Sequence, residues 1–284
     1  MENNQRGRTP LLFFILTFAF SWVLWLPSIL TGLGLDLGIN AATYTSITVP
    51  IGAFAPLLAA LVLVIKQKGW KGGWHFFKQA FDFKVKPVYL IAALLIPIII
   101  HAISHYLAPL LGFPVASTLF PPELNLPSIL VAIPYFFLML IIGGGQEEFG
   151  WRGYAQEPLQ KRMGVIPASL LIGLVWGLWH LPLWVMPGDG HSTYPYLPFL
   201  LMTTSISVIY AWLFNASKQK LVPVIIFHAM SNTAAPLLPF LHMNEGVSET
   251  GYWIYAMINL IAAVIFGYLI LKAERKNKSN PSPT

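Results

Sequence analysis

The sequence predicts an all-α protein: a polytopic membrane bundle of about eight transmembrane helices, with both termini on the cytoplasmic side. Three observations lead there. Hydrophobic residues form 56% of the 284 positions and charged residues 10%, too little charge to cover a soluble surface of that size. Apolar runs about as long as a bilayer core is thick recur along the chain. Lys and Arg, Arg152 excepted, fall in alternate connections between those runs. The formal charge of +6 therefore reads as an orientation signal and not as a nucleic-acid surface. The absence of cysteine excludes disulfides, thiolate metal sites and a cysteine nucleophile.

Taken in order, the first run occupies 11–31; it is longer than a signal-peptide core and lacks a small-residue cleavage site, so it reads as a retained span. The next falls at 44–65. From Trp70 to Phe83 aromatic residues alternate with lysines, which fits either an amphipathic helix on the cytoplasmic face or a loop with aromatic anchors. Runs at 87–110, 128–158, 164–186, 198–215, 221–241 and 252–271 complete the bundle. Pro27, Pro56, Pro97 and Pro182 mark kinks, tolerated in a membrane because neighbouring helices and hydroxyls satisfy the freed backbone groups. Residues 1–276 read as one transmembrane domain with a motif-bearing core at 128–240, and the polar tail 277–284 as disordered.

The basic connections are the N-terminus with Arg6 and Arg8, the lysines from 66 to 86, Lys161 with Arg162, Lys218 with Lys220, and the C-terminal tail. The alternate connections hold Asp36, Glu123, Asp189, Glu245 and Glu249, with no Lys or Arg. The positive-inside rule then assigns the basic side to the cytoplasm.

One stretch concentrates charge inside hydrocarbon: Gly143-Gly-Gly-Gln-Glu147-Glu148-Phe-Gly-Trp-Arg152. An ionisable group at membrane depth costs several kcal/mol and is read as functional, provided its partner can be named. If the fourth run stays helical to about Pro158, Glu148 and Arg152 lie four apart and can pair, while Glu147 points about 100° away and must find its partner on another helix. The three glycines allow a helix or a substrate backbone to come close. The plain alternative is a solvated cytoplasmic loop, since Lys161 and Arg162 follow soon after.

The fifth run carries Trp176 and His180, and the seventh carries His228 and Asn232, each pair one helical turn apart. A lone histidine among tryptophans is ordinarily a hydrogen-bonded core residue, and two polar groups on one face ordinarily bond a neighbouring helix. Three such sites on three spans argue for convergence. A carboxylate and an imidazole in an apolar cavity can activate a water between them, and a second imidazole with an amide can stabilise an oxyanion. The chemistry implied is metal-free peptide-bond hydrolysis in the membrane, with no covalent intermediate and no cofactor. The competing readings are a zinc site of Glu147, His180 and His228, although no H-E-x-x-H occurs, and a non-catalytic scaffold or a transporter. His101 and His105 read as interfacial residues or a helix contact, while His75, His191 and His242 carry no signal.

Glu147-Glu148-x-x-x-Arg152, Trp176-x-x-x-His180 and His228-x-x-x-Asn232, in that order, resemble the CPBP family of intramembrane glutamic endopeptidases, which includes type II CAAX prenyl proteases and bacterial abortive-infection proteins. The resemblance implies an eight-helix bundle whose cavity opens towards the cytosol, in a bacterial plasma membrane. It implies water activation by Glu147 and His180, oxyanion stabilisation by His228 and Asn232, and structural support from Glu148 and Arg152. The substrate class implied is a peptide or protein, lipid-associated ones included; some relatives of this kind are linked to bacteriocin immunity. Trp176 departs from the phenylalanine usual in the family. Depth raises one difficulty: counted from the basic residues, Glu147 lies about 20 Å, His180 about 27 Å and His228 about 12 Å along their helices. Tilt or a broken helix has to bring them level.

Overall fold

Each apolar run folds into helix because a backbone in hydrocarbon can satisfy its N–H and C=O groups only internally. The computed structural model describes residues 10–124, 126–240 and 249–279. Its helices are α1 (Leu11–Gly32), α2 (Ala41–Gly52), α3 (Ala55–Lys78), α4 (Pro87–Leu110), α5 (Ser128–Ile141), α6 (Glu148–Gly150), α7 (Glu157–Met163), α8 (Val165–Trp179), α9 (Tyr196–Ala216), α10 (Leu221–Leu237) and α11 (Glu249–Ser279), and no strand occurs among the described residues. Among the described residues seven stretches are long and apolar enough to cross a membrane, and α10, with 17 residues, is a shorter apolar helix. The protein is a multi-pass membrane helix bundle. Arg6, Arg8, His242, Glu245 and residues 280–284 lie outside the described residues, whereas α11 runs on as helix to Ser279.

Two expected spans are broken, each for a local reason. The run at 44–65 is two helices: α2 stops at Gly52 and α3 starts at Ala55 with Pro56 in its first turn, where the missing N–H costs nothing. The run at 128–158 is not one helix. α5 stops at Ile141, Gly144 takes φ 122°, and the chain resumes as a 3-10 turn (Gly145–Glu147), α6, a π-helical turn (Trp151–Gln156) and α7. A π turn inserted in a helix rotates the side chains after it, a device found at functional sites.

α9 is the most buried of the long spans and packs between α8 and α11; α10 lies against α4 and α5, and α1 against α2 and α3. Small residues permit the closest approach: a Cβ on Gly173 of α8 would come within 2.6 Å of the Thr203 carbonyl oxygen of α9. Indole N–H groups, which need partners once buried, tie α1 into the bundle. Trp25 donates to the Thr48 carbonyl at 2.9 Å, Trp179 to Ser21 Oγ at 3.0 Å, and Trp22 to the Trp179 carbonyl at 3.0 Å.

The basic ends of the helices are cross-linked. Gln67 donates to the Tyr154 hydroxyl at 2.9 Å, Gln160 and Asn215 exchange amide bonds at 3.0 Å, and Lys220 pairs with Asp82. Beyond the kink at Gly69 (φ 69°), the Trp70–Phe83 stretch is helical to Lys78 with a 3-10 turn after it. It splits by face: Phe76 is buried and Phe77 stacks on Phe149 at 5.7 Å, while Trp70 and Trp74 stay exposed.

Candidate active site

The glycine run is where the fourth span breaks, and Gly144 shows why no other residue fits. Its φ of 122° suits glycine alone, and a Cβ there would overlap His228 Nε2 and stand 2.9 Å from Asn232 Nδ2. The close approach expected of the glycines is thus an approach of α10, whose His228 and Asn232 sit one turn apart. Asn232 Nδ2 donates to the Gly143 carbonyl, which uses one of its two N–H groups. The Gln146 side chain accepts from Gly144 N–H at 3.0 Å, and Glu147 N–H donates to the Gly144 carbonyl at 2.9 Å, closing the turn.

Glu147 is buried. Its Oε2 accepts from two indoles, Trp176 Nε1 at 2.8 Å and Trp151 Nε1 at 3.2 Å. The first partner comes from another helix, as expected. The second corrects the expectation that Glu147 has no local partner: Trp151 lies four positions on, the same spacing that joins Glu148 to Arg152.

Glu148 and Arg152 are both fully buried and paired at 3.0 Å. The same Glu148 Oε1 stands 2.7 Å from His228 Nδ1, which assigns a proton to that nitrogen and leaves Nε2 beside Gly144. Arg152 also donates to Ser207 Oγ at 3.0 Å, and its guanidinium lies 3.9 Å from the Tyr210 ring centroid. A charge taken out of water needs this density of partners to be tolerable.

His180 caps the C-terminus of α8, where Pro182 ends the helix in a 3-10 turn. Its Nδ1 is 2.8 Å from the Trp176 carbonyl, so that nitrogen donates and Nε2 remains available. Glu147, His180, His228 and Asn232 all line one cavity of about 480 Å3. The fourth span is broken at Gly144, so helical rise along it does not measure the depth of Glu147. Among the described residues no three His, Asp or Glu side chains come together as metal ligands would.

The wall holds two histidines that sequence spacing did not assign to it. His101 is buried in the contact with α11, its Nε2 3.1 Å from the Tyr255 hydroxyl, and is not interfacial. His191, on the turn between α8 and α9, lies 5.8 Å from His180 ring to ring. Asp189 accepts from His191 Nδ1 at 2.7 Å and from its backbone N–H at 2.8 Å. Burial pushes the Asp189 carboxyl up, but these bonds outweigh it and the group titrates below the ordinary carboxylate value.

Comparison with known proteins places this geometry. Residues 129–234 match the family described as type II CAAX prenyl endopeptidase Rce1-like. The chain is 29% identical over 270 residues to CAAX prenyl protease 2 of Methanococcus maripaludis, covering 91% of this chain and 93% of that one. It is 24% identical over 268 residues to lysostaphin resistance protein A of Staphylococcus haemolyticus, covering 94% of this chain and 66% of that one. These likenesses support a CPBP/type II CAAX protease family for the chain. The family match, 129–234, begins with α5 and ends just past Asn232, so it takes in the broken fourth span, α8, α9 and most of α10.

Of the six site residues read from the CPBP motifs, four line the cavity and the other two, Glu148 and Arg152, lie behind His228. Sequence reasoning missed Trp151, whose i, i+4 spacing to Glu147 was available as a signal. Ser207 and Tyr210 gave none, because a hydroxyl on an apolar span is unremarkable until Arg152 is seen against it.

Proposed function

We propose that this chain is a metal-independent intramembrane endopeptidase in which Glu147 and His180 activate a water and His228 and Asn232 stabilise the oxyanion. The observation carrying this reading is that the four side chains line one cavity, with Glu147 Oε2 held by two indoles. The water oxygen attacks the peptide carbonyl carbon as its proton passes to Glu147, with His180 Nε2 orienting it, and Glu147 then returns that proton to the amide nitrogen as the C–N bond breaks, releasing the amine and the carboxylic acid. The carbonyl oxygen gains charge and meets the spare N–H of Asn232 and Nε2 of His228. For that nitrogen to donate, His228 carries both protons, a charge that Glu148 at 2.7 Å balances.

Residues 1–276 act as one transmembrane domain of a bacterial plasma-membrane protein, its substrate a peptide or protein segment and its other contacts membrane lipids. The test is cleavage of a quenched fluorogenic peptide library by purified Glu147→Gln and His180→Ala, with detergent size-exclusion profiles as folding controls. Each variant loses about 10²–10⁴-fold in turnover if its side chain serves general acid–base catalysis. Cleavage at the wild-type rate in either variant removes that residue from the mechanism.

A further inference from the structure

Lys66 ends the apolar run of α3 and Pro87 opens that of α4, so the segment between them leaves and re-enters the bilayer at one interface. It carries six lysines, Lys66, Lys68, Lys71, Lys78, Lys84 and Lys86, against one acidic residue, Asp82. All six lysines are exposed, and Asp82 is taken by Lys220. Gly69 bends the helix, and Gly73 lays the following turns against the end of the span, where a Cβ would stand 2.4 Å from Ile65 Cγ1. Past the bend, Trp70, Trp74 and Lys78 follow at four-residue spacing on the outer face, the Lys78 ammonium 5.0 Å over the Trp74 ring. Trp70 is 76% and Trp74 56% exposed, so neither indole serves the core, and Phe81 and Phe83 are exposed beside them.

The inner face meets the stretch that carries Glu147 and Glu148. Phe149, the next residue, has Phe77 stacked on it at 5.7 Å and Phe76 edge-on at 6.0 Å. Gln67 holds Tyr154 of the π turn, and Asp82 holds Lys220, the residue before α10 with its His228 and Asn232. Both halves of the candidate site are therefore tied to the lysine segment.

We propose that residues 66–86 form a docking surface for anionic lipid headgroups, and that their binding steadies the Glu147–Glu148 turn through Phe77 and Phe149. Exposed tryptophan and lysine on one face are the composition of a helix lying among headgroups, with the indoles at headgroup depth and the ammonium groups on the phosphates. The surface is continuous with exposed apolar side chains of the flanking spans, Val62 of α3 and Val88 and Ile91 of α4. The occupant that covers those side chains and also carries negative charge at their edge is the bilayer itself. The lipid site stands apart from the protease reading; only its effect on cleavage rests on that reading.

The test compares purified protein in nanodiscs of phosphatidylcholine with and without phosphatidylglycerol. Phosphatidylglycerol raises the melting temperature of the wild type and slows hydrogen exchange at the backbone amides of 143–152. In Lys71→Gln the phosphatidylglycerol content needed for half the effect rises about fivefold, the loss expected for one lysine near an anionic surface. Combining Lys68→Gln, Lys71→Gln, Lys84→Gln and Lys86→Gln removes both effects, while melting in phosphatidylcholine alone stays that of the wild type because all four side chains are exposed. Equal responses in the wild type and these variants overturn the lipid site, and no response in any of them overturns it in favour of a protein partner. Glycerol 3-phosphate added to phosphatidylcholine discs stabilises nothing; an equal effect there assigns the lysines to a soluble phosphate and overturns the lipid. A rise in melting temperature with unchanged exchange at 143–152 overturns the coupling. Neither readout needs turnover, so loss of cleavage counts against the protease reading alone.

Discussion

Glu148 and His228 are hydrogen-bonded at 2.7 Å although 80 positions separate them. The same carboxylate oxygen holds Arg152 at 3.0 Å, so one buried atom joins the broken fourth span to α10. Glu148→Gln keeps the shape and removes the charge, leaving Arg152 buried without its counter-ion. Breaking such a pair from one side costs about 3–5 kcal/mol. Thermal unfolding in detergent should show that loss together with loss of cleavage, whereas Glu147→Gln should lose cleavage with its melting temperature nearly intact.

Gly144→Ala places a methyl group against His228 Nε2 and forces an L-residue to φ 122°. Strain of this kind costs about 1–3 kcal/mol. Because the displaced groups are the oxyanion donors of the proposed mechanism, turnover should fall by about 10²–10³-fold, the loss seen when such a donor is removed. A variant that cleaves as well as wild type would show that the turn relaxes away from α10.

Trp151→Phe and Trp176→Phe each leave Glu147 Oε2 one indole donor, and the double variant leaves none. A hydrogen bond to a charged group contributes about 1.5–3 kcal/mol. The second deletion should therefore cost more than the first, whichever is made first, and a double-mutant cycle on stability reads that coupling. Strict additivity would mean the two indoles hold Glu147 independently.

The Asp189–His191 pair has a defined pH signature. The folded-state carboxyl titrates below its unfolded value because of the His191 bonds, which outweigh burial. Its stabilisation is therefore complete above the ordinary carboxylate range and is lost as pH falls through the lowered value. The melting-temperature difference between wild type and Asp189→Asn should stay constant from about pH 5 upward and shrink below about pH 4. A difference that instead vanishes on raising the pH from 5 to 8 would assign the effect to His191.

Much of the bundle was legible because hydropathy is a local property: an apolar run of sufficient length must become helix wherever it lies in the membrane. The α1 boundaries, Leu11–Gly32 against 11–31, differ by one residue for that reason. The Glu148–Arg152 pair was legible too, since four-residue spacing survives as long as the segment stays near-helical. What spacing could not reveal was the break at Gly144, where φ turns positive to clear His228. Glycine is compatible with a continuous helix and with a break alike, and only the neighbour decides.

From sequence alone came the class of structure, the residues able to carry charge inside it, and the gathering of the basic residues in alternate connections. Those follow from transfer energies and short-range geometry, which each segment possesses by itself. The tertiary structure decided which groups meet: that Trp151 and Trp176 share Glu147, that Glu148 serves His228 as well as Arg152, and that Glu147, His180, His228 and Asn232 line one cavity. Such meetings depend on how helices pack and where they break, and a packing contact between distant residues leaves no periodic trace in either one.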